Sequence, residues 1–398
     1  MSGVPAYVTC AFVEEPENHP ETSSRHRELL SEPFDDHPDG KLYSPGYFDD
    51  VEDREEYKPG GFHPVHPGDN LGRDNRFRVI HKLGNGALST VWLCRDYEKS
   101  KYVALKIIIA DAPRDVCSEL KVVHRKDLDL DQAGGKHIAL PLDHFWIDGP
   151  SGSHLCQVLP VSGPRVPVIW RTFPDPSKPA INISLQVTSG LQFLHRNGIR
   201  HGGLSDLDGL REEQVAMELG EPRKEGLLTE LDETPGPSAP KYIVQPINLE
   251  ALDPRHLIDL ACIIDFGESY DSSSPPEGLG IPPGCCSPEL IFDSLVGIAS
   301  DIWALACTIY ELRSMSRLCE TWDGDDDEVI LQIVRLLGKL PEPWWPFWDA
   351  RDRWCKEDGT PIVDPDIGIA FATPFTVDEL IALGVHFRIG SATGPWVP

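Results

Sequence analysis

The sequence predicts an α+β protein with a two-lobed fold: a five-stranded antiparallel half with one helix, followed by a mainly helical half. Two observations support this. Short runs of β-branched and aromatic residues, separated by Gly, Asn or Asp, begin at Arg76. After Pro164 the apolar residues recur instead at helical spacing. Strands and helices that segregate along the chain are typical of an α+β architecture.

Each element of the first half follows from its local pattern. RFRVIHKLG, STVWLCRD and KYVALKIII predict three successive antiparallel strands. PRDVCSELKVVHRK places Val116, Leu120 and Val123 on one side of a helix. HIALPLDHFWI and HLCQVLPV predict the last two strands of the sheet.

The second half contains three strong helix patterns. INISLQVTSGLQFLHRNG predicts an amphipathic helix with Gly198 as its C-cap. SDIWALACTIYELRSM is apolar on nearly all sides and predicts a buried helix. EVILQIVRLLGKLP predicts a third, which Gly338 and Pro341 end.

Composition along the chain suggests the domain boundaries. Residues 1–55 are rich in Glu, Asp, Pro, His and Ser and predict an acidic disordered tail. We assign the N-terminal lobe to residues 56–164 and the C-terminal lobe to residues 165–398. A polar, Pro-bearing insertion occupies about 210–258, and an atypical C-terminal end begins near residue 380.

The chain of 398 residues is strongly acidic, with 36 Lys and Arg against 64 Asp and Glu and a formal charge of −28. This charge disfavours direct binding to nucleic acid or to a membrane surface and favours basic partners, although strong acidity more often reflects solubility alone. The ten cysteines form no CxxC pair, which suits a reducing compartment. With no signal-peptide pattern and no long apolar run, we expect a cytoplasmic or nuclear protein.

LGNGALSTVWL places Gly84 and Gly86 at the turn between the first two strands. Glycines at such a turn let backbone N–H groups approach phosphate oxygens, and Val91 would then cover an adenine ring. A Gly-x-Gly turn in a hairpin is also ordinary turn chemistry, and Ser89 stands where a third glycine is common. The Gly-x-Gly turn indicates a phosphate site only in combination with the motifs that follow it in the sequence.

The first of these neighbours is Lys106, in the apolar run VALK on the third strand. A buried ammonium needs an anionic partner, and Glu119 on the following helix is the natural candidate. A strand lysine paired with a helix glutamate can reach the α- and β-phosphates of a nucleotide. The alternative is a surface lysine on an edge strand.

Two further motifs follow in order. ACIIDFGES puts Asp265 directly after an apolar strand, where its carboxylate can hold Mg²⁺ against phosphate oxygens. Ser287-Pro288-Glu289 follows 22 residues after Asp265 and resembles the Ala-Pro-Glu motif that closes a kinase activation segment. Asp301 opens SDIWALA, and either braces the catalytic loop from below or is simply an acid at a helix start.

In this order and spacing the motifs resemble those of eukaryotic protein kinases, over about residues 57 to 350. EEYKPGGFHPVHPGD followed by GNGALSTVWLCRD closely resembles the SR-protein kinases, particularly their fungal relatives. The resemblance implies Mg-ATP as cofactors and basic Arg/Ser-rich proteins as substrates or docking partners. It implies Asp265 as a metal ligand and an ATP site made of Leu83, Gly84, Gly86, Val91, Ala104, Lys106, Glu119, Leu159 and Val161.

The catalytic loop departs from the family's H-x-D-L-x-x-x-N pattern. Laid directly on it, HGGLSDLD puts Gly203 where the family has its catalytic aspartate, and Ser205 where it has a lysine. Asp208 then replaces the metal-binding asparagine, and Asp206 or Asp208 would be weak substitutes for the base. In a second alignment LSDLDGL begins the insertion, and roughly ten residues, the base among them, are missing. Glycine cannot accept a proton, so both alignments predict that the base is absent.

Three functional hypotheses follow. The leading one is an ATP-binding pseudokinase or scaffold that still docks Arg/Ser-rich proteins. The second is an active serine/threonine kinase in which Asp206 or Asp208 replaces the base. The third is a truncated remnant of such a kinase, because the sequence after VDELIALG leaves Glu289 only Arg388 as a candidate partner.

Overall fold

The chain forms two compact units in a computed structural model. One unit comprises Met1–Asp127, Ile138–Arg165 and Asp206–Gly267, and the other Leu128–His137, Val166–Ser205 and Glu268–Pro398. The residues that the structure describes are 41–112, 118–123, 125, 127–161, 163, 177–201, 220–229, 234–248, 260–276, 278–314, 317–321, 324–342, 344–360 and 362.

The first unit is built on a six-stranded antiparallel sheet with the order β1-β2-β3-β4-β6-β5. All five predicted strands are present, and a two-residue strand, β1, is added at the edge. The run HIALPLDHFWI was predicted as one strand, but only its second half pairs with β6, from Asp143 onward. The bounds are β1 Asn70–Leu71, β2 Phe77–Gly86, β3 Ser89–Asp96, β4 Lys101–Ile108, β5 Asp143–Gly149 and β6 Gly152–Leu159, and helix α1 spans Ser118–Val123.

Alternation along the strands gives this sheet two different faces. On β3, Trp92 and Cys94 point into a buried apolar cluster, whereas Val91 and Leu93 alternate with them and point to the opposite face. The cluster therefore belongs to the outer face, away from the predicted nucleotide site. It contains Val65, Phe77, Val79, Trp92, Cys94, Val103, Leu105, Ile107, Cys156, Val158 and Val244.

Two distant segments cover the outer face. Residues 41–66, which we call the strap, pack with a hairpin formed by β8 (Lys224–Gly226) and β9 (Tyr242–Val244). Tyr43 of the strap bridges to Thr229, which follows β8. The cluster between strap and hairpin contains Tyr43, Tyr57, Phe62, Leu227 and Ile243.

This packing corrects two sequence-based boundaries. Residues 43–55 were predicted as part of a disordered tail, but Tyr43 and Glu52 are each only 4% exposed, because apolar and paired side chains anchor the segment to the sheet. The insertion at about 210–258 was predicted as a polar part of the C-terminal lobe. Its described residues 220–229 and 234–248 instead belong to the first unit, where the β8–β9 hairpin buries Ile243 and Val244.

Two histidines meet where the strap crosses β6. The rings of His63 and His154 lie edge to face with their centroids 4.9 Å apart. His154 Nδ1 contacts the carbonyl oxygen of Ile108 at 2.9 Å, while His63 Nδ1 and His154 Nε2 are buried without a hydrogen-bond partner. Burial and the neighbouring His154 lower the pKa of His63 to about 4, against the opposing effect of Asp69. Burial also lowers the pKa of His154, opposed by its contact with Ile108 and by Asp148.

We expect this pair to make the stability of the first unit fall with acid. The pKa of His63 lies below its ordinary value of 6.5, so the unfolded chain binds the extra proton between pH 6.5 and about 4. The contribution of His63, at most about 3.5 kcal/mol at ~1.4 kcal/mol per pKa unit, is complete above pH 6.5 and is lost as the pH falls toward 4. Urea unfolding at pH 7.5, 5.5 and 4.5 measures it. His63→Gln should flatten this slope, whereas His144→Gln on β5 should not; an unchanged slope in His63→Gln contradicts the assignment.

The second unit is mainly helical, as predicted. Gly198 follows α2 at φ +72°, a left-handed conformation that suits glycine, so the predicted C-cap is confirmed. Gly338 at φ +89° likewise follows α5. Its helices are α2 Ser177–Arg196, α3 Pro288–Asp293, α4 Ile298–Ser314, α5 Asp326–Leu337, α6 Trp344–Phe347 and α7 Arg351–Trp354, and its short strands are β7 Ile199–Arg200 and β10 Tyr270–Asp271.

The burial of α4 differs from the prediction. Ala304, Cys307 and Leu312 are buried, but Ile302 is 53% exposed, so one side of the helix faces solvent. Around α5 a tryptophan-rich cluster forms the core instead. Trp348 packs there, with its indole N–H donating to Asp327 at 2.7 Å. None of the helices in the described ranges is long and apolar enough to cross a membrane.

Candidate active site

The glycine turn of the first unit leaves its backbone open. A methyl group built on Gly84 would meet no atom within 4 Å, and one built on Gly86 would meet only the Ser89 hydroxyl at 3.9 Å. The hairpin therefore does not need glycine at these positions for internal packing. Open space above exposed backbone is what a phosphate group requires if it is to reach the N–H groups.

The predicted adenine and phosphate contacts lie on one face of the sheet. Gly84 pairs with Val91, and Val91 in turn pairs with Lys106 on β4. Paired residues of antiparallel strands point to the same side, so Val91 and Lys106 share a face. On the other side of β4, Ala104 pairs with Leu159 of β6. Leu83 lies directly before the turn, and Val161 lies just beyond β6 and is 8% exposed.

Lys106 and Asp265 form an ion pair at this face. Lys106 Nζ donates to Asp265 Oδ1 at 2.8 Å, and the two side chains are 17% and 46% exposed. The carboxylate compensates the cost of placing the lysine ammonium beside the sheet. The pair thus places one cation and one carboxylate on the face that Lys106 shares with Val91, the partner of Gly84.

The backbone of Asp265 is held in a left-handed conformation, with φ 58°. For a residue other than glycine this costs about 1–2 kcal/mol. The ion pair to Lys106 and the burial of Phe266, which is 1% exposed, hold the residue in place. The apolar strand predicted before Asp265 is reduced to a single parallel bridge between Ile263 and Ile138, supported by the N–H of Ala139 donating to the Ile263 carbonyl.

Several predicted site residues lie outside the described part of the chain. Glu119 is in α1, but its side chain is not described, so its predicted pairing with Lys106 stays a prediction. Gly203, Asp206 and Asp208 of the catalytic loop also lie outside the described residues, as does Arg388, the predicted partner of Glu289.

The structure describes His201, the first residue of the predicted catalytic loop, within the second unit. Asp301, 2% exposed, accepts two hydrogen bonds through Oδ2, from the backbone N–H of His201 at 3.0 Å and from His195 Nε2 at 2.8 Å. Asp301 therefore contacts the backbone where the loop begins, as the bracing interpretation predicts. Its position in the first turn of α4 also suits a carboxylate, because unpaired N–H groups point toward it.

Both ends of the predicted activation segment are held, one by a strand pair and the other by a helix cap. Tyr270 and Asp271 pair with Arg200 and Ile199, so β10 lies antiparallel to β7. At the other end Ser287 caps α3: its hydroxyl accepts the N–H of Leu290 at 3.3 Å. The Ser-Pro-Glu motif thus starts a helix with a serine N-cap and a proline in the first turn.

Within the described residues the site fits Mg-ATP by its chemistry. Open backbone at Gly84 and Gly86 suits phosphate oxygens, the Lys106 ammonium suits their charge, and the Asp265 carboxylate is the ligand type that Mg²⁺ prefers. No preformed cluster of three or more His, Cys, Asp or Glu side chains occurs in the part of the chain that is described.

Sequence reasoning missed an ionic network behind the glycine turn. Lys82 on β2 is fully buried and forms an ion pair with Glu52 of the strap. The hydroxyl of Tyr57 donates to the other oxygen of Glu52. A lysine between His81 and Leu83 on a predicted strand is a weak signal for such a pair, because its partner lies 30 residues upstream in a segment that the sequence predicts as disordered.

Comparison with curated proteins finds serine/threonine protein kinases. The chain is 34% identical to SKY1 of Saccharomyces cerevisiae over 169 residues, which is 40% of this chain and 22% of that protein. It is 26% identical to the serine/threonine protein kinase AFUA_5G14870 of Aspergillus fumigatus over 318 residues, 73% and 74% of the two chains. It is 35% identical to human SRSF protein kinase 3 over 141 residues, 33% and 24% of the two chains. The matched region thus spans about a fifth of SKY1 and a quarter of the human kinase.

No family model matches the chain. Among solved structures, the kinase domain of PF14_0431 superposes with a TM-score of 0.55 at 17% identity, covering 80% of this chain and 89% of that one. At this level of identity the likeness shows the fold. The predicted two-lobed, kinase-like α+β fold is therefore confirmed.

Proposed function

We propose that this chain, an SRPK-like member of the serine/threonine protein kinases, binds Mg-ATP in its first unit and is impaired in phosphoryl transfer. The observation that supports it best is the Lys106–Asp265 ion pair on a sheet whose glycine turn has open backbone, with Val91 pairing with both Gly84 and Lys106. These groups would hold the nucleotide, while the sequence of the catalytic loop lacks a carboxylate at Gly203.

Each residue of the site has a defined task in this proposal. The backbone at Gly84 and Gly86 would donate hydrogen bonds to phosphate oxygens, and Val91 with Ala104 would enclose the base. Lys106 would neutralise the phosphates, and Asp265 would bind Mg²⁺, which supplies charge compensation for the β- and γ-phosphates.

The impairment follows from what Gly203 lacks. A kinase needs a carboxylate within hydrogen-bond reach of the substrate hydroxyl to orient it and to accept its proton. Glycine has no such group, and Asp206 comes three residues later in the chain. A chain that binds nucleotide without this group would act by occupying partners, as a pseudokinase or scaffold.

The partners that suit this chain are basic. The formal charge of −28 attracts Arg-rich segments, and one relative bears the name SRSF protein kinase. We therefore propose Arg/Ser-rich proteins as docking partners, with a cytoplasmic or nuclear location. The same partners would be substrates if the second hypothesis, an active kinase, holds.

The test measures binding and chemistry on the same purified chain. Thermal unfolding is followed with and without Mg-ATP, and transfer of labelled γ-phosphate to an Arg/Ser-repeat peptide is measured in parallel. We expect Mg-ATP at 100 times its Kd to stabilise the fold by about 2.7 kcal/mol, with no transfer above the level of Lys106→Met.

Two results would contradict the proposal. Transfer that disappears in Lys106→Met but persists in Lys99→Met, a control at the opposite end of the same hairpin, would show an active kinase in which another group replaces the base. A folded chain that gains no stability from Mg-ATP would show that the site does not bind nucleotide.

A further inference from the structure

The strap reaches the strand that carries the glycine turn through one buried contact. Glu52 of the strap and Lys82 of β2 form an ion pair in which the side chains are 1% and 0% exposed. Tyr57 donates its hydroxyl to the second oxygen of Glu52, and the Lys82 ammonium lies 6.0 Å from the centre of the Trp92 ring. The network is thus enclosed between the strap and the outer face of the sheet.

Lys82 sits at an irregular point of β2. Lys82 pairs with Trp92 and Gly84 pairs with Val91, so Leu83 is an extra residue and forms a β-bulge. A bulge bends its strand and re-aims the residues that follow it. Because the glycine turn follows directly, the direction of the turn depends on how the backbone at Lys82 is held.

The backbone at Lys82 is also fixed from the insertion. Its carbonyl accepts the N–H of Ile247 at 3.0 Å, just beyond β9, and His81 Nδ1 lies 3.1 Å from the same oxygen. The side chain of Lys82 is fixed by Glu52 and its carbonyl by Ile247. Two segments far apart in sequence therefore converge on the residue that precedes the bulge.

A gain in folding stability does not explain why Glu52 and Lys82 form a buried ion pair. Enclosing an ammonium and a carboxylate costs desolvation, and apolar side chains of similar volume often serve folding equally well or better. A charged pair does impose direction, since only one arrangement satisfies it. We therefore interpret the Glu52–Lys82 pair as an interaction that fixes the local geometry of β2.

We propose that Glu52 is a positioning residue for nucleotide binding: through Lys82 it sets the bulge, and thereby holds the glycine turn in the conformation that receives the phosphates. The inference rests on the proposed binding of Mg-ATP. It assigns to the strap a role in phosphate affinity, although no strap residue belongs to the nucleotide face.

The test separates phosphate binding from adenine binding. The triple variant Glu52→Leu, Tyr57→Phe, Lys82→Met replaces the network with apolar groups and should keep its melting temperature. Isothermal titration of the full chain is expected to show a Kd for Mg-ATP at least tenfold above that of the unaltered chain, with the Kd for adenosine changed less than twofold. The matched control is Arg54→Met, Glu225→Gln, which removes a half-buried ion pair between the strap and the hairpin and should change neither Kd.

Glu52→Gln, which keeps the shape of the side chain, provides a second route should the triple variant unfold, and the same split is expected of it. Unchanged Mg-ATP affinity in a folded variant overturns the inference, as does an equal loss of adenosine and Mg-ATP affinity, which would indicate general disruption. If the unaltered chain binds adenosine but not Mg-ATP, or neither, the proposed function fails and the inference fails with it.

Discussion

Replacing Asp301 with alanine is expected to lower the free energy of unfolding of the second unit by about 3–5 kcal/mol. One carboxylate oxygen accepts hydrogen bonds from His195 and from the backbone of His201, and all three groups are largely enclosed. Hydrogen bonds to an ionised group contribute about 1.5–3 kcal/mol each, and their loss leaves buried donors unsatisfied. Urea unfolding followed by tryptophan fluorescence measures the change.

Two control variants make this result specific. Asp349→Ala removes an exposed carboxylate from the same unit and should change the free energy of unfolding by less than about 0.5 kcal/mol. Asp301→Asn keeps an acceptor oxygen and should lose roughly half as much as Asp301→Ala. A loss below about 1 kcal/mol in Asp301→Ala would mean that the carboxylate does not hold the start of the loop, and that the helix-start interpretation suffices.

Replacing Lys106 with methionine is expected to weaken Mg-ATP binding about 10- to 100-fold. The ammonium would meet phosphate oxygens while staying within reach of Asp265, and a charge-assisted contact of about 1.5–3 kcal/mol corresponds to that factor. Removal of the lysine also leaves Asp265 without its described cationic partner and in a left-handed conformation. Titration calorimetry with Mg-ATP measures the effect.

Lys99→Met is the matched control, since Lys99 is an exposed lysine at the distal turn of the same hairpin. It should bind Mg-ATP with unchanged affinity. Adenosine, which has no phosphate, should bind Lys106→Met almost as well as the unaltered chain. Equal affinities of Lys106→Met and the unaltered chain for Mg-ATP would show that the phosphates lie elsewhere.

Local patterns were enough to predict most of the regular structure. β3 follows STVWLCRD residue for residue, because a continuous run of β-branched, aromatic and apolar residues lies there between two turns. The C-terminal ends of α2 and α5 follow from Gly198 and Gly338, whose left-handed conformations disfavour other residues. These predictions depend only on neighbours in sequence.

The missed features depend on distant partners. The strap reads as a polar tail, and only its contacts with β2 and with the β8–β9 hairpin order it. No local pattern indicates that Lys82 faces Glu52, since the register shift between Val79 and His81 changes the alternation of the strand before Lys82. For the site, the order of motifs indicated Lys106 and Asp265, but their direct pairing required the fold.

The covered outer face of the sheet has a consequence for how the chain folds as it is synthesised. Its apolar cluster joins Val65 to Val244, so the core of the first unit stays incomplete until more than half of the chain has left the ribosome. Contacts over such long sequence separations form slowly, because a large loop must close before they are gained. The first unit therefore cannot close its core while its first strands emerge, and until β9 arrives these exposed strands need protection from aggregation.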